Sequence, residues 1–214
     1  MTAVAVPERI SALPADEHGR PVPWFTARIN GRPDLRMMDG AKIPTAIGER
    51  RCWICGQPFE AGDRLAFLVG PSSLFSRAAP EPPSDRLCAL YALRECPFLS
   101  NPGRARRPAN MPPGATQTGN PVLDNPGVVL MWLCRDYRVE AQPDGGVLLR
   151  LPRPSSIVAY CGGLPALRDQ LDDAFATAAA RARDLLAAEG MPAPVIDTVV
   201  AMNRALLYEA VMRP

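Results

Sequence analysis

Two cysteines separated by two residues and followed by glycine constrain the fold of this chain more than any other feature. The motif is Cys52-Trp53-Ile54-Cys55-Gly56, and a turn of this kind brings two thiolates onto one metal ion. Glycine stands where the backbone has to turn tightly around that ion. We expect the chain to work in the cytoplasm, where thiols stay reduced, so its six cysteines favour metal ligation or burial over disulfides. The motif therefore predicts a structural zinc (Zn2+) site.

Two further ligands have to come from later in the chain, and Asp85, Cys88 and Cys96 are the candidates. Cys88 and Cys96 would be separated by about 12 Å of rise on a continuous helix, whereas two sulfurs bound to one zinc lie roughly 3.8 Å apart. Asp85 and Cys88 stand three residues apart in a first helical turn, where both can face the metal. We therefore predict Cys52, Cys55, Cys88 and Asp85 as the ligands, with Cys96 in reserve.

Local patterns around these cysteines predict a hairpin, a strand and a helix. Residues 24–29 and 35–38 flank Asn30-Gly31, a pair that suits the positive φ angles of a tight hairpin turn. Residues 64–69 form an apolar run ended by Gly-Pro, which favours a buried strand. Residues 84–95 carry apolar side chains at helical spacing, with a Ser or Asp available as N-cap. A knuckle, a strand and a helix whose first turn completes the site predict a treble-clef zinc finger.

This part of the chain resembles a family of uncharacterised bacterial and phage or prophage proteins. The resemblance rests on four strings, which are residues 52–56, 66–71, 81–84 and 88–99. It extends over about residues 21–99 and more loosely over 125–165. In that family a histidine usually precedes the equivalent of Cys88 by three residues, and here that position holds Asp85. The resemblance implies a zinc module of phage or mobile-element origin and brings no established activity.

The rest of the chain predicts a second group of strands and a pair of helices. An apolar run over 128–139 and a second over 147–151, joined by a Gly-rich turn, predict two antiparallel strands. Two apolar stripes on either side of Gly190 predict a helical hairpin. We therefore expect an α+β protein with five parts. These are an irregular leader (1–22), the zinc module (23–100), a Pro/Gly-rich loop (101–126), antiparallel strands that pack on the module (127–163) and the helical hairpin (164–214).

Composition excludes several function classes. The formal net charge of +2 is too small to require a nucleic-acid or membrane partner, and no segment approaches the roughly 18 apolar residues of a membrane helix. The one histidine, His18, lies in the leader, so a histidine metal centre or a Ser-His-Asp triad has little to draw on. We therefore expect a non-enzymatic binding protein with a macromolecular partner, protein rather than nucleic acid. For a phage protein, a host defence or regulatory protein is a concrete candidate.

Nucleic-acid binding is the alternative function. Basic side chains in the Pro/Gly-rich loop and near the knuckle can contact phosphates, and Trp24, Phe25 and Trp53 can stack on bases. The basic candidates are Arg50, Arg51, Arg104, Arg106 and Arg107. The competing interpretation is a solvated loop beside ordinary core aromatic residues.

A zinc or thiol enzyme is the second alternative, with Asp85 or Cys96 as its reactive group. It requires a metal with an exchangeable ligand, or a thiol with a depressed pKa. The apolar stripes of residues 164–214 leave a further choice open. They serve either as a core face within one chain or as the interface of a homodimer.

Overall fold

The chain alternates short antiparallel strands with helices and ends in two long helices, which confirms the α+β class. The computed structural model describes residues 5–103, 125, 127–143 and 145–211. The strands are β1 (Thr26–Ile29), β2 (Arg32–Met38), β3 (Leu65–Val69), β4 (Ala78–Ala79), β5 (Val128–Cys134), β6 (Arg138–Ala141), β7 (Val147–Arg150), β8 (Ser156–Cys161) and β9 (Leu164–Pro165). The helices are α1 (Glu8–Ser11), α2 (Lys42–Gly48), α3 (Ser73–Ser76), α4 (Arg86–Glu95), α5 (Arg168–Ala188) and α6 (Ala193–Ala210). None of the helices within these ranges is both long and apolar enough to cross a membrane.

Strand β5 lies inside the main sheet, and every one of its residues is buried. The sheet has the order β3-β5-β8-β9 with all neighbours antiparallel. Phe67 pairs with Trp132, and Trp132 pairs with Ile157 on the other side. Successive side chains of a strand point to opposite faces, so a strand buried throughout must be covered on both. This explains why the sequence of β5 is a continuous apolar run rather than an alternating one.

Helices cover the two faces of this sheet. On one face, Leu130 and Trp132 belong to a core that includes Phe175 of α5 and Leu207 of α6. On the other face, the intervening residues of β5 pack against Leu93 of α4 and its neighbours. The sheet therefore lies between the carboxy-terminal helices and α4. Because α4 also carries Cys88, this packing fixes one side of the predicted zinc site to the core.

Three of the predicted elements are confirmed. β1 and β2 form an antiparallel hairpin whose turn places Asn30 at φ 49° and Gly31 at φ 79°. β3 occupies the run predicted as a buried strand, and β5 and β8 extend the sheet from it. α4 begins after Asp85, whose side chain caps it. These elements follow from local turn chemistry, apolar runs and capping residues.

The prediction of one strand over residues 128–139 is wrong, because this segment forms two strands that are separated between Cys134 and Arg138. Its first part, β5, pairs with β3 and β8, whereas its last part, β6, pairs with β7 in a separate sheet of order β4-β7-β6. All residues of β6 are exposed. A strand buried on both faces cannot continue into the polar pair Arg135-Asp136 without burying charge. The Gly-rich turn therefore joins β6 to β7 and does not bring β7 beside β5.

The leader is not irregular throughout. Residues 8–11 form the short helix α1, and Ile10 within it is buried. Ala15 and Pro21 form an isolated antiparallel bridge that closes the segment between them. Of the Pro/Gly-rich loop predicted over residues 101–126, the structure describes 101–103 and 125. The leader is thus an ordered part of the fold within the described residues.

The carboxy-terminal helices form the predicted hairpin, and most of their apolar stripe is a core face of this chain. The stripe covers the main sheet through Leu171 and Phe175 of α5 and Leu206 and Leu207 of α6. Towards the connection between the helices the stripe leaves the sheet, and Leu185 is 66% exposed. Of the two roles that the sequence left open for the stripe, the core role is therefore observed. Dimerisation through its exposed end stays a prediction.

Candidate metal centre

The sulfur atoms of Cys52, Cys55 and Cys88 converge on one point of the interior. All three Sγ atoms lie within 4.8 Å of one another. The residues are 0%, 6% and 0% exposed, respectively. Three thiolates in such a group can coordinate one metal ion, and sulfur ligands select soft or borderline metals over Mg²⁺ and Ca²⁺. The structure therefore brings together the three cysteines that the sequence predicted as ligands.

Backbone hydrogen bonds shape the turn that carries the first two cysteines. The Cys52 N–H donates to the Gln57 carbonyl at 2.8 Å, and the Gly56 N–H donates to the Cys52 carbonyl at 2.8 Å. Inside the turn, the Cys55 N–H donates to the Cys52 sulfur at 3.4 Å. The loop thus points a peptide N–H at sulfur, which favours the thiolate form.

A second set of hydrogen bonds attaches the third cysteine to this turn. The Trp53 N–H donates to the Pro83 carbonyl at 3.0 Å. The Asp85 N–H donates to the Cys52 sulfur at 3.2 Å. Asp85 is the N-cap of α4, and Cys88 lies in the first turn of that helix. The start of α4 is therefore held against the knuckle, which places the Cys88 sulfur beside the other two.

Gly56 is needed at the end of the knuckle for two reasons. Its φ angle is +72°, in the left-handed region that disfavours residues with a Cβ. A Cβ at this position would also lie 2.5 Å from Cγ of Trp24. Trp24 is itself anchored to the knuckle, because its N–H donates to the Ile54 carbonyl at 2.7 Å. The knuckle and the Trp24 ring therefore fit together only with glycine.

Aromatic rings cover the outside of the knuckle. The Phe25 and Trp53 rings are stacked, with centroids 5.3 Å apart and planes at 14°. The Trp24 ring meets Trp53 edge-on at 6.0 Å. Trp53 is 2% exposed. These rings pack on one another as a small core, so Trp53 presents no free face on which a base could stack.

Hydrogen bonding within the sulfur group favours ionisation of Cys52 over the other two thiols. Hydrogen bonds from the Cys55 and Cys88 thiols hold the pKa of Cys52 well below its ordinary value, although burial opposes this shift. Hydrogen bonding to Cys52 is also the largest cause of the raised pKa of Cys55 and of Cys88. The arrangement therefore favours a thiolate at Cys52, with the Cys55 and Cys88 thiols as hydrogen-bond donors to it. A cation bound between the sulfurs would replace those two protons, since metal ligation requires thiolates.

Asp85, predicted as the fourth ligand, has other partners in the structure. Its Oδ1 accepts the N–H groups of Leu87 at 2.9 Å and Cys88 at 3.2 Å, which caps α4. Its Oδ2 lies 3.6 Å from Nη1 of Arg9. The carboxylate does not belong to the compact ligand group found among the described residues. The prediction that Asp85 ligates the metal therefore gains no support, and a capping role is what the geometry shows.

Substitution of Asp85 should separate these two roles. We expect Asp85→Ala to lower the free energy of unfolding by about 1 kcal/mol and Asp85→Asn to lower it much less, because asparagine also caps helices well. Denaturant unfolding measures this difference, and elemental analysis of the same samples gives the metal content. Loss of the metal from both variants would assign Asp85 the ligand role instead.

The remaining cysteines and the histidine lie elsewhere. Cys96 is the C-cap of α4, at the opposite end of the helix from Cys88. Cys134 is buried in the main core, and burial raises its pKa to about 12. Cys161 is partly buried at the end of β8. His18 lies in the leader with an exposed side chain, 3.7 Å from a carboxylate oxygen of Glu17. The reserve ligand Cys96 therefore does not join the group.

The leader contributes two contacts to the centre that the sequence did not predict. Ile10 belongs to the same cluster of buried residues as the three cysteines. Arg9 reaches Gln57 beside the knuckle and Asp85 at the start of α4. The signal was present in the sequence, because Pro7 favours a helix start and Ile10 and Leu13 are spaced to share one helical face. A single turn is too short for that pattern to stand out from a loop.

The predicted nucleic-acid contacts divide into two groups. Arg51 forms hydrogen bonds within the chain. Its Nε donates to a carboxylate oxygen of Glu49 at 2.7 Å, and its Nη1 donates to the Gly56 carbonyl at 2.9 Å. Arg50 is exposed, and its φ angle is 50°. Arg104, Arg106 and Arg107 lie outside the described residues.

Comparison with known proteins does not place the chain in a family. No protein-family model matches it. Neither the curated proteins nor the solved structures contain a match to it. The functional argument therefore rests on the geometry of the cysteine group and its surroundings.

Proposed function

We propose that Cys52, Cys55 and Cys88 bind one zinc ion and that residues 23–100 form a treble-clef-like module around it. The observation that carries this proposal is the convergence of three buried sulfurs from a Cys-x2-Cys knuckle and the first turn of α4. Thiolate ligands suit zinc. Structural zinc sites are mostly cysteine-rich and four-coordinate, so a fourth ligand would complete the group of three sulfurs. In this role the metal joins the knuckle to the helix that packs on the main sheet.

We further propose that this zinc-stabilised protein is non-enzymatic and binds a macromolecular partner through the surface of the module. Large apolar side chains are exposed there, namely Leu35 and Met38 on β2 and Leu87 on α4. Leu87 is 57% exposed and adjoins Cys88 in the chain. The cores of protein interfaces are depleted in charged residues, so a protein partner would cover such side chains.

A protein partner is favoured over nucleic acid by how the knuckle is covered. Phe25 occupies one face of the Trp53 ring, and Arg51 is paired with Glu49. These side chains are therefore engaged within the chain rather than arranged for bases and phosphates. A phage or mobile-element origin, which the resemblance implies, would make a host defence or regulatory protein the partner.

Affinity capture tests this proposal. We expect carboxy-terminally tagged wild type to recover a protein from host lysate, and Leu87→Glu to recover much less of it. Leu185→Glu is the matched control, because Leu185 is similarly exposed but lies on α5, which is not part of the module (23–100). Glutamate is compatible with the start of a helix, so Leu87→Glu should keep the fold.

Three readouts decide the outcome. Metal content and melting temperature of each bait show that it is folded. Recovery of no protein above controls would count heavily against a protein partner. Recovery of nucleic acid that is lost steeply with added salt would favour the nucleic-acid alternative.

A further inference from the structure

The cysteine group shares its buried surroundings with Ile10 of the leader. The residue is 1% exposed and belongs to one cluster with Cys52, Cys55, Cys88 and Ile54. Its side chain offers no ligand atom, so its contribution to the site is to exclude water and solutes. The buried cluster around the sulfurs therefore includes a segment that precedes the knuckle by about 40 residues of chain.

Arg9 connects the two segments that supply the cysteines. Its Nε donates to Oε1 of Gln57 at 3.0 Å, and its Nη2 donates to the Pro58 carbonyl. Its Nη1 lies 3.6 Å from Oδ2 of Asp85, the cap of the helix that carries Cys88. Gln57 and Pro58 directly follow the knuckle. One guanidinium group therefore spans the knuckle and the start of α4, and the Arg9 side chain is 23% exposed in doing so.

The leader has little structure of its own apart from these contacts. α1 contains four residues, and a single isolated helical turn is unstable in water. Further along, a turn is held by Asp16, which accepts the backbone N–H groups of His18 and Arg20 and pairs with the Arg20 guanidinium at 2.7 Å. The position of α1 therefore depends on the surface formed by the knuckle and α4.

We infer that Arg9 and Ile10 are positioning residues of the metal centre and that the leader is a strap whose docking slows release of the bound metal. The inference rests on the proposed zinc centre and adds its regulation. The free-energy coupling between metal binding and docking of the leader is reciprocal. The metal holds the knuckle and α4 in the arrangement that receives the leader, and the docked leader hinders opening of the centre.

Transfer of zinc from the protein to the chelating dye 4-(2-pyridylazo)resorcinol tests the strap. We expect Arg9→Ala and Ile10→Ala to begin with the same metal content as wild type and to release it roughly tenfold faster or more, since each loses a buried or charge-assisted contact. Arg20→Ala is the matched control. It removes a leader arginine whose ion pair lies within the Asp16 turn, so its release rate should equal that of wild type.

Limited digestion with trypsin gives a second measurement on the unaltered chain. The Arg9–Ile10 bond should be cut slowly in the metal-loaded protein and at least tenfold faster after chelation, because undocking exposes it. The Arg20–Pro21 bond is resistant in both states because proline follows the arginine. Mass spectrometry of the products identifies the cut.

The outcomes separate this inference from the zinc centre itself. Release rates of Arg9→Ala and Ile10→Ala within twofold of wild type, from fully loaded protein, would overturn the strap and leave the zinc centre standing. Equal cleavage of the Arg9–Ile10 bond with and without metal would do the same. Freshly purified, reduced wild type without metal would overturn both.

Discussion

Cys52→Ala is expected to abolish stoichiometric zinc binding and to lower the melting temperature by about 10 °C. The sulfur of Cys52 is fully buried and accepts N–H groups from both the knuckle and Asp85, so its loss removes the member that holds the group together. Loss of a metal site belongs to the small set of changes with large effects. About 3 kcal/mol corresponds to roughly 10 °C in a domain of this size.

Two measurements check this result. Elemental analysis should give one zinc per chain in wild type and none in Cys52→Ala. Chelation should lower the melting temperature of wild type to near that of the variant and leave the variant unchanged. Cys96→Ala is the matched control, because Cys96 lies at the far end of α4. Loss of zinc from Cys96→Ala, or its retention by Cys52→Ala, would contradict the assignment of the ligands.

Gly56→Ala should destabilise the protein by about 3 kcal/mol while leaving all three cysteines in place. The left-handed backbone at φ +72° costs a residue with a Cβ about 1 kcal/mol, and overpacking adds about 2 kcal/mol. The clash is with Cγ of Trp24, the first atom of the ring, which cannot move without the whole side chain. Denaturant unfolding measures the loss, and the zinc affinity should fall with it because the knuckle is distorted.

Gly62→Ala separates the two contributions to this effect. Gly62 has φ +91°, and a Cβ there would meet nothing within 4 Å, so only the backbone cost of about 1 kcal/mol applies. In a double-mutant cycle, Gly56→Ala should destabilise the Trp24→Ala protein by about 2 kcal/mol less than it destabilises wild type, because the clash with the ring is absent. Equal losses of unfolding free energy for Gly56→Ala and Gly62→Ala would contradict this. They would show that the Trp24 ring moves aside and that its close approach to Gly56 is unimportant.

Much of the fold follows from short-range signals. The hairpin β1–β2 is specified by Asn30-Gly31, α4 by the cap at Asp85 and its apolar spacing, and the helical hairpin by Gly190 between two stripes. Each of these elements is determined by contacts between residues near one another in the chain. Patterns of this kind can be recognised without knowing the tertiary structure.

The strand pairing could not be predicted in the same way. Apolar residues continue far enough to suggest one strand over 128–139, yet β5 and β6 belong to different sheets. The strand β8 falls within the region predicted as antiparallel strands (127–163) but was not predicted as an individual strand, although it is the partner of β5 in the main sheet. Which strands pair depends on contacts distant in sequence, and burial on both faces removes the alternation that would mark the strand ends.

The candidate site shows the same division. Spacing alone identified Cys52, Cys55 and Cys88, because a knuckle and a helical turn impose fixed positions on their ligands. The role of Asp85 was harder to predict. A residue that precedes Cys88 by three positions at the start of a helix can act either as a metal ligand or as the N-cap. Arg9 and Ile10 were missed because their contribution arises from tertiary contacts and not from any ligand chemistry.

Docking of the leader has a consequence for the order of events during synthesis. Ile10 leaves the ribosome before Cys88, with which it shares a buried cluster. Contacts between distant residues form only after the intervening chain is available. The segment that carries Ile10 must therefore wait, unpacked, until α4 has been made, so that closure of the cysteine group is a late step in folding.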